Sequence, residues 1–239
     1  MDPRQRLIVA LDVSTAAAAR KIVAAVGDSA QTYKVGMQLY TAEGPSMVRE
    51  LVGSGRRVFL DLKYHDIPNT VGAAVREASE LGVCMLTVHA SGGGKMLRTA
   101  VEAAQGKPDL LILAVTVLTS LDDVDLGKIG LRGGVLDQVQ RLAALALSNG
   151  CKGVVASAQE APALRGEFGR DFAIVTPGVR LAGSGPHDQA RVVTPAEAIA
   201  AGASHIVVGR PITEAADPAA EARAILGQIS TQYPVASNQ

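Results

Sequence analysis

Phe59-Leu60-Asp61-Leu62-Lys63-Tyr64-His65-Asp66-Ile67-Pro68-Asn69-Thr70 reads as the end of a strand running into a polar turn. Val58–Lys63 is apolar except at Asp61 and Lys63. Strand side chains alternate faces with period two, so these two charges share a face. That face cannot be a plain hydrophobic core, because burying an ion costs several kcal/mol even when it is paired. The charges mark either a structural ion pair at a strand end or a working site.

A helical pattern, Pro45–Gly53, precedes this strand and another, Val71–Leu81, follows it. The same alternation fills the chain. Strand patterns lie at Leu7–Asp12, Thr32–Gly36, Met85–His89, Leu110–Thr116, Gly153–Ala156, Ala173–Thr176 and His205–Val208. Helical patterns lie at Thr15–Val26, Gly94–Ala104, Val135–Ser148, Glu160–Phe168, Pro195–Ala201 and Pro218–Ile229. Ser14-Thr15, Thr194-Pro195 and Asp217-Pro218 are helix start signals. Eight strand–helix units predict an α/β fold, a (β/α)8 TIM barrel. A doubly wound open sheet is the alternative, since a strand near either end could be miscounted. No Pro/Gly/Ser linker divides the chain, so residues 1–239 read as one domain.

Composition narrows the function. The chain is 48% hydrophobic and 19% charged with a formal net charge of zero, as expected of a globular protein with no electrostatic pull toward nucleic acid or an anionic membrane. No apolar run reaches the roughly 18 residues of a membrane helix, and the N-terminal stretch lacks a signal-peptide core. Cys84 and Cys151 fit no zinc or redox spacing, and no histidine–carboxylate spacing supports a metal site. These features predict a cytoplasmic protein with reduced thiols.

In parallel barrels the chemistry gathers at the C-terminal ends of the strands. The polar residues of this chain fall there. Asp61, Lys63 and Asp66 form a D-x-K-x-x-D cluster, and the neighbouring strand supplies Lys34, giving an expected Lys–Asp–Lys–Asp array in which each charge supports the next. A fixed carboxylate beside an ammonium can destabilise a bound anion and deliver a proton to the carbon left behind. Gly209-Arg210 follows the last strand and Pro177-Gly178-Val179-Arg180 the seventh, where barrels often hold phosphate; the alternative for Arg210 is an ordinary surface charge. Ala182–Arg191, containing Gln189, has the composition of a lid. Asp12 would either bind a sugar hydroxyl or cap the helix near Thr15. His89 fits a satisfied core histidine better than a catalyst. Ser91-Gly92-Gly93-Gly94-Lys95 lacks Walker spacing and reads as the start of a helix.

Taken together, Leu7–Val13, Tyr33–Gly36, Phe59–Val71, Thr87–Ala90, Val115–Ser120, Val175–Arg180 and Ile206–Thr213 resemble the orotidine 5′-phosphate decarboxylase family. The resemblance implies a barrel of the ribulose-phosphate-binding type that needs no cofactor or metal. It implies that Lys63 protonates C6 of the pyrimidine as carbon dioxide leaves, that Asp61 sits against the departing carboxylate, and that Lys34 and Asp66 complete the array. It further implies a homodimer with Asp66, Ile67 and Thr70 reaching the partner's site. Asp12 and Lys34 would bind ribose hydroxyls, Ser120 with Thr119 the pyrimidine edge, and Gln189, Gly209, Arg210 and Arg180 the phosphate. Two competitors remain at this point. A magnesium-dependent phosphosugar enzyme, such as a keto-gulonate phosphate decarboxylase or hexulose phosphate synthase, shares the D-x-K-x-x-D skeleton, though the Ile67-Pro68-Asn69-Thr70 continuation argues against it. A non-catalytic phosphate-ligand sensor on the same barrel is the other.

Overall fold

In the computed structural model, which describes residues 2–179 and 193–230, eight parallel strands close in chain order. They are β1 (Leu7–Ala10), β2 (Thr32–Gly36), β3 (Arg57–Tyr64), β4 (Met85–His89), β5 (Leu111–Val115), β6 (Gly153–Val155), β7 (Ala173–Thr176) and β8 (His205–Val208). β1 pairs with both β2 and β8, which excludes the open doubly wound sheet. The first strand stops at Ala10, so Asp12 stands two residues beyond it, in the loop.

Helices follow the strands at Ala16–Val26, Pro45–Gly53, Pro68–Glu80, Gly93–Ala103, Val135–Ser148, Ala161–Phe168, Pro195–Ala200 and Pro218–Ser230. The helix after β3 begins at Pro68 rather than Val71, because proline suits the first helical position once Ile67 is extended. The Thr15 side chain accepts a hydrogen bond from the Ala18 N–H and caps its helix, which removes capping from Asp12. Thr194 and Glu197 form a reciprocal capping box. Four short helices lie outside the expected pattern: Pro3–Arg6, Met37–Glu43, Asp123–Lys128 and Arg210–Thr213. Among the described residues, no helix is long and apolar enough to cross a membrane.

The apolar residues form two cores. Ile8, Ala10, Phe59, Met85, Leu113, Val175 and Val207 pack inside the barrel, and a larger cluster fills the space between strands and helices. With both faces covered, every residue of β1, β2 and β8 is buried. In β3 the middle residues Val58, Phe59 and Leu60 are buried, and the last four, Asp61 to Tyr64, emerge together to partial exposure. That strand therefore carries its charges into the barrel mouth.

Candidate active site

The site is built around an irregularity in β3. Leu60 pairs with Leu86 but the next partner pair is Tyr64 with Val88, so β3 spends four steps where β4 spends two. The surplus bulges the strand, a device that re-aims side chains next to active sites. Lys63 sits in the bulge with φ 51°, and among the described residues it alone has a positive φ without being glycine. That conformation costs an L-residue with a Cβ roughly 1–2 kcal/mol, so neighbouring contacts must hold it. Thr87 of β4 supplies them: its Oγ1 accepts from the Lys63 N–H at 2.9 Å and donates to Asp61 Oδ1 at 3.0 Å.

The charges run as a chain from β3 across β2 to the loop after β1. Lys63 Nζ lies 2.9 Å from both Asp61 oxygens. Lys34 Nζ stands 3.9 Å from Asp61 Oδ2 and donates to Asp12 Oδ1 at 2.7 Å. Lys34 and Asp61 are 11% and 14% exposed, dry enough for their charges to act strongly on each other and on a ligand. Within this chain the alternating charges run Lys63, Asp61, Lys34 and Asp12, and Asp66 stands apart from them. β3 ends at Tyr64, the chain turns outward, and the exposed Asp66 uses Oδ1 to accept from the Ile67 N–H at 2.6 Å. Gly36 makes room for the array: a Cβ there would stand 3.0 Å from Lys34 Nζ and 3.3 Å from Asp12 Oδ1.

These groups line a cavity of about 660 Å³ at the barrel mouth, within the usual range for small-molecule sites. Asp12, Lys34, Asp61, Lys63, Thr119, Gly209 and Arg210 all border it, while Ala10, Phe59, Val155, Val175 and Val207 give it an apolar floor. Polar residues of the last strand and the first three therefore lie along one continuous arc. Arg210 opens the short helix Arg210–Thr213. Ser120 is exposed and outside the lining, so the structure brings Thr119 to the cavity in its place. Asp66, Ile67 and Thr70 are exposed away from the cavity of their own chain. Arg180 and Gln189, with the Ala182–Arg191 segment, lie outside the described residues.

Sequence reasoning passed over Thr87 and Gly36. Thr87 was visible as a polar residue in phase with Met85 on the inward face of β4; Gly36 gave no local signal, because its role depends on two side chains from different strands. His89 is half-buried at the mouth rather than in the core. Its ring stacks on His65 at 5.2 Å and its Nδ1 meets Ser91 Oγ at 2.8 Å. Burial, then the neighbouring His65 and Lys63, push its pKa below the usual histidine value. Ser91–Lys95 does begin a helix, at Gly93.

A closed (β/α)8 barrel with alternating lysines and aspartates at its C-terminal mouth defines a barrel enzyme acting on a small anionic substrate. The profile of the orotidine 5′-phosphate decarboxylase / HUMPS family matches residues 5–225, and the chain belongs to that family. The orotidine 5′-phosphate decarboxylase of Afipia carboxidovorans is 50% identical over 232 residues, 97% of this chain and 97% of that protein. That of Rhodopseudomonas palustris strain BisB5 is 52% identical over 227 residues, 95% of each chain. The crystal structure of the Lactobacillus acidophilus orotidine 5′-phosphate decarboxylase superposes with a TM-score of 0.84 at 39% identity, covering 94% of this chain and 99% of that one.

Proposed function

We propose that this chain converts orotidine 5′-monophosphate to uridine 5′-monophosphate, the last step of de novo pyrimidine nucleotide synthesis, without a cofactor. The observation that carries the assignment of roles is Lys63 Nζ, 2.9 Å from both oxygens of Asp61 on the wall of an apolar-floored cavity. The bond from C6 to the carboxylate breaks and its electron pair stays on C6. The Lys63 ammonium stabilises that developing carbanion and then gives it a proton, while carbon dioxide departs past Asp61. Lys63 regains its proton from water. Asp12 and Lys34, tied at 2.7 Å, suit the ribose hydroxyls, and Thr119 on the cavity wall suits the pyrimidine edge. Purified protein stripped with EDTA and mixed with the substrate tests this reading by the ultraviolet change on decarboxylation. Turnover only after magnesium is restored would favour the phosphosugar-enzyme alternative; tight nucleotide binding without turnover would favour a sensor.

Gly209 and Arg210, joined by Arg180 and Gln189, hold the phosphate on this reading. Hydrogen bonds to charged groups contribute about 1.5–3 kcal/mol, so Arg210→Ala should lower kcat/KM roughly 10- to 100-fold. The nucleoside lacking the phosphate should lose little, because the deleted contact was never made. Equal losses on both substrates would contradict the assignment.

The working unit is a cytoplasmic homodimer of one-domain chains. Free, buried Cys84 and Cys151 suit a reducing compartment. The exposure of Asp66 and Thr70, and of Ile67 at 67%, suits a loop that completes a partner's site instead of its own. Mixing Lys63→Ala chains with Asp66→Ala chains tests this arrangement. Each mixed dimer would contain one site with an intact Lys63 and a partner's intact Asp66. With random pairing, about a quarter of wild-type activity should return from two inactive parents. No recovery in a mixture shown to exchange subunits would place Asp66 in its own chain's site.

A further inference from the structure

We propose that Thr87 is a positioning residue for the reaction: its single hydroxyl sets both the carboxylate and the ammonium of the catalytic pair. The inference rests on the reading of Asp61 and Lys63 as that pair.

Thr87 is fully buried and enters the barrel from the middle of β4, in phase with Met85. A hydroxyl has one donor and two acceptor sites, so it can serve both neighbours at once. It donates to Asp61 Oδ1 at 3.0 Å, the oxygen that Lys63 Nζ also reaches at 2.9 Å. It accepts from the Lys63 backbone N–H at 2.9 Å. In a regular parallel ladder a strand N–H finds a carbonyl on its neighbour. The bulge between Leu60 and Tyr64 breaks the regular pairing with β4, and the side chain of Thr87 takes the carbonyl's role for Lys63.

The chemical consequence is geometric. Lys63 is held in a left-handed conformation that its own Cβ disfavours, and a flexible stem separates its backbone from its Nζ. Fixing the backbone N–H fixes where that stem starts. Fixing Asp61 Oδ1 fixes where it ends. Both restraints come from one oxygen on a neighbouring rigid strand. A displacement of about 1 Å at a reacting centre can cost on the order of 100-fold in rate. Thr87 touches neither substrate nor reacting atom in this scheme, so its effect passes entirely through Asp61 and Lys63.

Thr87→Val keeps the branched shape and removes both hydrogen bonds. It should lower kcat roughly 10- to 100-fold while KM and affinity for uridine 5′-monophosphate change less than about threefold. Thr87→Ser restores the hydroxyl and should recover most of the kcat. Thr87→Cys, close to threonine in size but a weak hydrogen bonder, should show the same loss of kcat and gives the measurement if the valine variant does not fold. Lys63→Ala is assayed in parallel. If Lys63→Ala is inactive while Thr87→Val or Thr87→Cys keeps wild-type kcat, the positioning role falls alone. If Lys63→Ala is active, the catalytic reading falls and takes Thr87 with it. Losses shared equally by the serine, cysteine and valine variants, with KM rising in step, would make Thr87 a packing residue and overturn the proposal.

Discussion

Lys63→Ala is expected to bind uridine 5′-monophosphate within about tenfold of the unsubstituted protein, while its turnover falls by at least about 10⁴-fold. General acid catalysis alone accounts for about 10²–10⁴-fold in typical enzymes. A charge placed against a developing anion in a water-poor site adds about 10²–10³-fold more. Lys63 performs both tasks, and among the described residues no other ammonium stands as close to Asp61: Lys34 Nζ is 3.9 Å away and already committed to Asp12 at 2.7 Å. Binding should survive because Asp12, Lys34, Thr119 and Arg210 border the cavity independently of Lys63. The fold should survive as well. Alanine meets the same backbone penalty at φ 51° as lysine does, and Asp61 keeps its hydrogen bond from Thr87. Circular dichroism and calorimetric titration with the product check those points before the decarboxylation assay is run. A variant keeping a tenth of wild-type turnover would remove Lys63 from the proton-donor role.

The barrel was legible because a parallel strand covered on both faces must be a short run of apolar residues. Thr32–Gly36, Met85–His89, Ala173–Thr176 and His205–Val208 have the bounds read from sequence, and the other four strands shift at their ends. The short helices escaped for the opposite reason. Met37–Glu43 and Arg210–Thr213 make one turn or two, too little for an apolar period to declare itself. The site was legible one residue at a time but not as an arrangement. Asp61 and Lys63 stood out as charges where core was expected. The bulge that turns Lys63 has no marker at Lys63 itself, since lysine does not favour the positive φ it adopts there. By position in the sequence Asp12 fits a helix cap or a sugar ligand equally well. Its ion pair with Lys34 depends on how far the loop after β1 folds over the barrel mouth, and that is a tertiary fact. Spacing groups Asp66 with Asp61 and Lys63 but does not say which chain's site it serves; within its own chain β3 ends at Tyr64 and Asp66 is exposed.

Asp61→Asn separates two roles that the array combines. The substitution keeps the shape, and the amide oxygen can still accept from Thr87, but the negative charge facing the cavity is gone. If Asp61 acts by crowding the substrate carboxylate, the bound substrate is raised in energy while the transition state, which is shedding that carboxylate, is not. Two like charges about 4 Å apart at an effective dielectric of 20 repel by about 4 kcal/mol, which is about 10³-fold in rate. The variant should therefore lose up to about 10³-fold in kcat, and its KM should fall or hold rather than rise, because the strain imposed on the substrate has been removed. If Asp61 merely anchors Lys63, the pattern differs. Lys63 would then swing free, kcat would still fall, and substrate affinity would show no gain. Single-turnover rates with the substrate Kd measured separately distinguish the two patterns. A fall in kcat with weakened binding would reduce Asp61 to a tether. Tightened binding with slowed chemistry would establish that the carboxylate at the end of β3 works by opposing the one it helps to expel.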